Sequence, residues 1–243
     1  MKKVFLLIML IGVVLNAQNK IKDPYEIEMI FVPGGLFMMG SVDGKYDTAP
    51  HTVELSTFYI SKYEVTQKLW KTVMESNPSE VKGDNLPVTN ISWVMVKEFI
   101  SKLNKLTGKN YRLPTEAEWE FAARGGLKSK NCLYAGSNNL NSVAWYANNS
   151  KEKIHPVGKK AANELGIFDM TGNVWEWVND WYSSMYYEES EKTNPVGPSN
   201  ATYKVIRGGA YAEIDEDCRV FTRLSFDPNS GNPSIGFRLA TTP

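Results

Sequence analysis

The densest run of chemically competent side chains lies between positions 166 and 180, where Asp169, Asn173, Glu176 and Asp180 place four oxygen-bearing groups within twelve positions. Gly172 sits among them and is free to take a turn that aims a carbonyl inward. Hard oxygens on a bent backbone are what Ca²⁺ requires, although the spacing is not that of an EF-hand loop. The competing use of the same residues is local: Asp169 and Asn173 bond their own turn, and Glu176 pairs with an arginine. Trp175 and Trp177 alternate on a strand-like stretch, which either turns one toward a groove or packs both in the core.

Further along, residues 203–211 read as a β run broken by Gly208 and Gly209, where a bulge or a close backbone approach is expected. Cys218 follows. As a nucleophile it needs an activating base, and neither His51 nor His155 is placed beside it by the sequence; as a small buried hydrophobe it needs nothing. Arg207, Arg219, Arg223 and Arg238 are suited to carboxylates of a substrate or, equally, to buried acids and loop carbonyls of the protein itself.

The chain that must position these groups has 243 residues, 27 basic against 27 acidic, and is 42 % hydrophobic, a globular composition. Formal neutrality leaves no basic stripe for phosphates, so no nucleic acid partner is expected. Two widely separated histidines exclude HExxH, and no GxxxxGK[ST] or GxGxxG occurs. Two cysteines, Cys132 and Cys218, do not make a disulfide scaffold, and whether they meet is open at this stage.

The first seventeen residues have the order of an export signal. Lys2 and Lys3 precede an apolar run over 4–15, and Asn16-Ala17 offers a small residue for cleavage. Twelve residues span about 18 Å as a helix, short of the roughly 30 Å of a bilayer core. The expectation is a signal peptide over 1–17, one domain over 18–243, no integral membrane segment after cleavage, and a periplasmic, secreted or cell-surface location.

Within that domain the apolar runs at 29–32 and 36–39 read as two strands joined by a tight turn at Pro33-Gly34-Gly35, and 51–60 as another strand. Val65, Leu69, Val73 and Met74 recur at helical spacing. Trp93, Val96, Ile100, Leu103 and Leu106 do so again between Ser92 as N-cap and Gly108 as stop. Thr115 and Glu118 form a capping box opening a helix that ends at Gly125-Gly126. Residues 127–243 show no long amphipathic run and predict short strands and ordered loops, with 186–194 a surface loop.

Taken together, the ordered segments are similar to the sulfatase-modifying factor family, the domain of the formylglycine-generating enzymes. They are Pro-Gly-Gly at 33–35, Glu-Val-Thr at 64–66, Arg-Leu-Pro-Thr-Glu-Ala-Glu-Trp-Glu at 112–120, His-Pro-Val-Gly at 155–158, Asn-Glu-Leu-Gly at 163–166, Asp-Met-Thr-Gly-Asn-Val-Trp-Glu-Trp at 169–177, Arg-Gly-Gly at 207–209 and Ile-Gly-Phe-Arg-Leu at 235–239. The resemblance implies a C-type-lectin-like α+β fold with little regular structure, stabilised by calcium. It implies calcium ligands Asp169 and Glu176 by side chain and Gly172 and Val174 by carbonyl, and a second site at Asn148 and Asn149 whose acidic complement is shortened here.

The same resemblance implies a departure at the catalytic centre. Active relatives hold copper(I) between two thiolates five positions apart; Cys218 falls on the second position, Glu213 on the first and Ala210 on the motif serine. A carboxylate suits hard cations and copper(I) is soft, so copper is not expected to be held, and Cys218 remains the single catalytic candidate. The resulting expectation is a non-catalytic binding or accessory module taking a peptide, glycan or protein at a groove beside Trp175, Arg207, Glu213 and Cys218. The alternative is a divergent copper oxidase that converts a substrate cysteine to formylglycine. Variable proteins of diversifying retroelements resemble the C-terminal region in general shape, but 210–234 is not crowded with Asn and Tyr.

Overall fold

The computed structural model describes residue 25 and residues 27–43 and 48–243. The export signal expected over 1–17 lies outside the described residues. Among the described residues no helix is long and apolar enough to cross a membrane.

Strands β1 (Met29–Val32) and β2 (Gly35–Met39) form where the apolar runs predict them, but they do not pair with each other. β1 joins β4 (Phe58–Ser61) and, beyond it, β9 (Ala240–Thr241), whereas β2 pairs antiparallel with β3 (His51–Leu55). The expected single strand over 51–60 is likewise two, divided at Ser56 and Thr57. Close passage explains both breaks: a Cβ on Gly34 would stand 2.3 Å from the Leu55 carbonyl oxygen, so the two crossover points press directly on one another.

Three helices follow. α1 (Gln67–Met74) is capped by the Thr66 hydroxyl, and α2 (Trp93–Thr107) by Ser92, ending at Gly108 in the left-handed region. α2 buries Val96, Phe99, Ile100 and Leu103 and leaves Leu106 exposed, so the apolar stripe ends one turn before the helix does. α3 (Glu116–Ala123) carries the full capping box, Thr115 accepting from the Glu118 amide and Glu118 from the Thr115 amide. Its eight residues are all buried, three glutamates included.

Two short helices, α4 (Leu140–Val143) and α5 (Tyr186–Glu189), punctuate the loops, and α5 buries Tyr187 inside the stretch expected to be surface loop. The second large sheet has the order β7-β6-β5-β8, with β5 (Trp175–Trp181) antiparallel to β6 (Lys204–Arg207) and parallel to β8 (Ile235–Phe237); β7 (Arg223–Phe226) and β8 are the edges. One apolar cluster gathers under α3 and the first strands, and another between α1, α2 and β5. Cys132 and Cys218 are both free.

Candidate functional site

The loops of the second half are held by buried charge. Each glutamate of α3 meets its own arginine: Glu116 takes Arg223 through two bonds of 2.7 Å, Glu118 takes Arg112 at 2.6 and 2.7 Å, and Glu120 takes Arg207 together with Arg124. Glu116 and Glu120, at i and i+4, lie on one face of α3 and both approach Arg207, while Glu118 points away from them to Arg112. Burial works against ionisation of Glu120, yet Arg124, Arg207 and the Gly40 amide hold its carboxyl below the usual range. Asp180, by contrast, is buried at the start of α3 with one oxygen on the Glu116 amide; burial and the Glu116 charge push it up to about 8.

The structure brings Asp169, Asn173 and Glu176 together and leaves Asp180 apart with α3. Glu176 is fully buried and accepts from Arg238 at both oxygens, 2.6 and 2.7 Å, and from the Trp119 indole at 2.7 Å. Asp169 accepts from the Gly158 amide at 2.6 Å. Glu64, which periodicity alone does not single out, completes the group and accepts from the Asn173 amide at 2.7 Å. Three carboxyls thus surround one guanidinium. Burial first, then the neighbouring Asp169 and Glu176, raises Glu64 well above the carboxylate range; burial raises Asp169 to about 6.

That arrangement bears on calcium. Glu176 does not fit as a ligand here, since its oxygens already answer Arg238 and Trp119. Asp169 is a buried carboxyl with a raised pKa beside Glu64, and among the described residues no group of three or more His, Cys, Asp or Glu side chains is placed to hold a metal ion. Gly172 is pressed against its neighbours: at φ 75° a Cβ would lie 2.3 Å from the Trp145 carbonyl oxygen. Asn148 is exposed, and the Asn149 side chain closes its own turn on the Tyr146 amide and the Ala144 carbonyl.

Asn173 organises the outer face. Buried and at φ 64°, it donates its own amide to the Trp145 carbonyl, accepts the His155 amide on its side chain, and accepts the Tyr211 amide on its carbonyl. Three loops distant in sequence are thereby fastened to one residue. Trp145 stacks on His155 at 3.8 Å and 13°, and the Lys160 ammonium caps the indole at 4.1 Å. The Glu213 carbonyl accepts from Ala147 beside them, and its carboxylate accepts from the Trp175 indole at 3.0 Å.

Of the four residues expected in a groove, the structure places Glu213 at the surface and closes the others. Arg207 is fully buried, giving its guanidinium to Glu120 and to the Val220, Phe221 and Thr222 carbonyls, so it secures the loop after Cys218. Trp175 and Trp177 both face the core. The four C-terminal arginines thus include three that answer buried acids, but those acids lie on α3 and β5 and not in the nearby 213–217 segment.

Cys218 is buried in an apolar cluster with Tyr134, Leu140 and Tyr146. Burial, followed by the charges of Glu213, Asp217 and Asp215, pushes its thiol far up, so it stays protonated at any physiological pH. A Cβ on Gly209 would come 2.7 Å from its sulfur, which is the close approach that the double glycine announces. A single thiol facing a carboxylate that is itself hydrogen-bonded does not supply the pair of soft donors that copper(I) selects.

Comparison with known proteins converges on these features. The model of the sulfatase-modifying factor enzyme 1-like domain matches residues 16–243. The chaperone protein LppX of Paenibacillus barcinonensis is 35 % identical over 87 % of this chain and 88 % of its own length. The formylglycine-generating enzyme of Streptomyces coelicolor is 38 % identical over 68 % of this chain, which is 56 % of that enzyme. Among solved structures, Treponema denticola variable protein 1 superposes with a TM-score of 0.84 at 31 % identity, covering 89 % of this chain and 95 % of that one. The fold is the expected C-type-lectin-like α+β arrangement.

Proposed function

Since the chain belongs to the sulfatase-modifying factor enzyme 1-like family, we propose that it is an exported, non-catalytic binding or accessory module of that family. The reading is carried by Glu213, which stands where the family resemblance places one of two thiols and accepts from the Trp175 indole, with Cys218 buried nearby. Oxidation of a substrate cysteine by this family needs two soft donors, and here one of the two positions carries a hard carboxylate.

The face bracketed by Asn173, with the Trp145–His155 stack, Tyr211 and Glu213, is then the binding surface for a peptide, a glycan or a partner protein. Half-exposed aromatic rings beside a carboxylate and an ammonium give such a surface apolar area and orientation together. The likeness to a protein named a chaperone, over most of both chains, supports an accessory role. Export rests on the charged and apolar order of residues 2–17, and calcium belongs to the proposal at Asp169.

The test is mass spectrometry of a sulfatase-derived cysteine peptide incubated with the protein, copper(I) and oxygen. The peptide is expected to remain unconverted. Formation of formylglycine, a loss of about 18 Da relative to cysteine, would overturn the reading in favour of a divergent oxidase.

A further inference from the structure

A cavity of about 490 Å³ lies between the β3–β4 turn, α2 and the segment joining Arg112 to Glu118. It shares no residue with the Asn173 face. Its volume is that of pockets that enclose small molecules, and its walls mix aliphatic side chains with hydroxyls and amides. One wall is rigid: Asn194 accepts from the Ser56 amide at 2.8 Å and donates to the Ser56 hydroxyl at 3.0 Å, which fixes the turn.

Charge distinguishes this cavity from the larger one of about 550 Å³ beside Glu64. There, the wall carries Glu64, whose carboxyl lies among Asp169 and Glu176, so that cavity does not favour an anion. In the 490 Å³ cavity Arg112 is neutralised by its bidentate contact with Glu118. Lys97 is not: it has no carboxylate within ion-pair distance among the described residues, and its ammonium lies 5.3 Å from the Trp93 ring.

A second ammonium, Lys204, stands 4.1 Å from the ring of Trp93 and 3.9 Å from that of Trp181, which stacks on Trp93, and it donates to the Asn179 carbonyl of the cavity wall. It too lacks an ion-paired acid among the described residues. Burial and, against the pull of Asp180, the repulsion of Lys97 lower it to about 8. Two neighbouring cations and a neutral ion pair leave this corner of the molecule with positive charge to spare.

We propose that this cavity is a binding site for a small hydroxylated carboxylate, a sugar acid, whose carboxylate pairs with Lys97 and whose hydroxyls meet the Thr57 and Thr115 hydroxyls and the Asn179 amide. The volume admits a sugar ring, the unpaired ammonium selects an acid, and the spread of hydroxyls and amide around the wall selects a polyol over a bare anion. The site is independent of the reading given for the Asn173 face.

Calorimetric titration of the full protein with sodium glucuronate, glucose and sodium acetate tests it. Glucuronate is expected to bind, with glucose and acetate each weaker by roughly tenfold or more. Lys97→Met, which keeps the aliphatic stem over Trp93, should weaken glucuronate by roughly tenfold without changing the melting temperature. Asn179→Ala retains the carbonyl that serves Lys204 and should weaken glucuronate less. Absence of glucuronate binding, unchanged affinity in Lys97→Met, or equal binding of glucose or acetate would each overturn the proposal, whatever the outcome of the peptide-oxidation assay.

Discussion

Asp180→Asn isolates one buried acid from the network that frames the site. Asp180 faces Glu116 and Glu118 on α3, Arg223 on β7 and Lys204 on β6, and its carboxyl is raised from 3.8 to about 8. Between these values the folded protein keeps a proton that the unfolded chain releases, so stability falls as pH rises from about 4 to about 8 and is level beyond. At pH 7 the difference is about three pH units, or roughly 4 kcal/mol at 1.36 kcal/mol per unit. Asparagine accepts the Glu116 amide as aspartate does, at a cost of about 1 to 3 kcal/mol for burying its NH₂ group. The net expectation is stabilisation by about 2 kcal/mol at pH 7, a rise in melting temperature of roughly 4 to 8 °C, shrinking to nothing or reversing at pH 4. Thermal unfolding by circular dichroism from pH 4 to 8.5 measures it. A variant with the same pH slope as the parent, or one equally destabilised throughout, would refute the reasoning.

Other outcomes follow from the same contacts. Added calcium should raise the melting temperature of the parent and have little effect on Asp169→Asn; calcium sensitivity retained in that variant would remove Asp169 from the ligands. Glu120→Gln leaves Arg207 buried with half its charge unanswered and should cost about 3 to 5 kcal/mol in urea unfolding. Glu213→Cys should increase copper(I) affinity in a competition titration, since it supplies the missing soft donor beside Cys218; no change would mean that the two positions do not converge. Gly209→Ala, forced to place a methyl group on the Cys218 sulfur at φ 75°, should lower the yield of folded protein or the melting temperature far more than Gly108→Ala, where a Cβ meets nothing within 4 Å.

The local elements were legible because their signals are local. Ser92, Thr115 and Glu118 cap helices through bonds to residues three positions away, and Gly108 ends one by a conformation of its own backbone. Family membership was legible for a related reason: the ordered motifs mark positions where backbone or charge admits few residues. The strand partners were not. Pro33-Gly34-Gly35 looks like a hairpin turn, but whether β1 and β2 pair depends on β3 and β4 arriving between them. Likewise the 186–194 run is polar in composition, yet Tyr187 is drawn inside by Arg223 and Glu116.

By itself, then, the order of residues determined the three longer helices, their capping residues and the family, all properties of single positions or short spans. Tertiary structure decided which acid answers which arginine. It sent Arg207 to Glu120 and Arg238 to Glu176 across 87 and 62 positions, closing the supposed groove, and it gathered Glu64 beside Asp169. Burial is the reason: a charge removed from water must find a partner in space, and separation along the chain does not say which one it will meet.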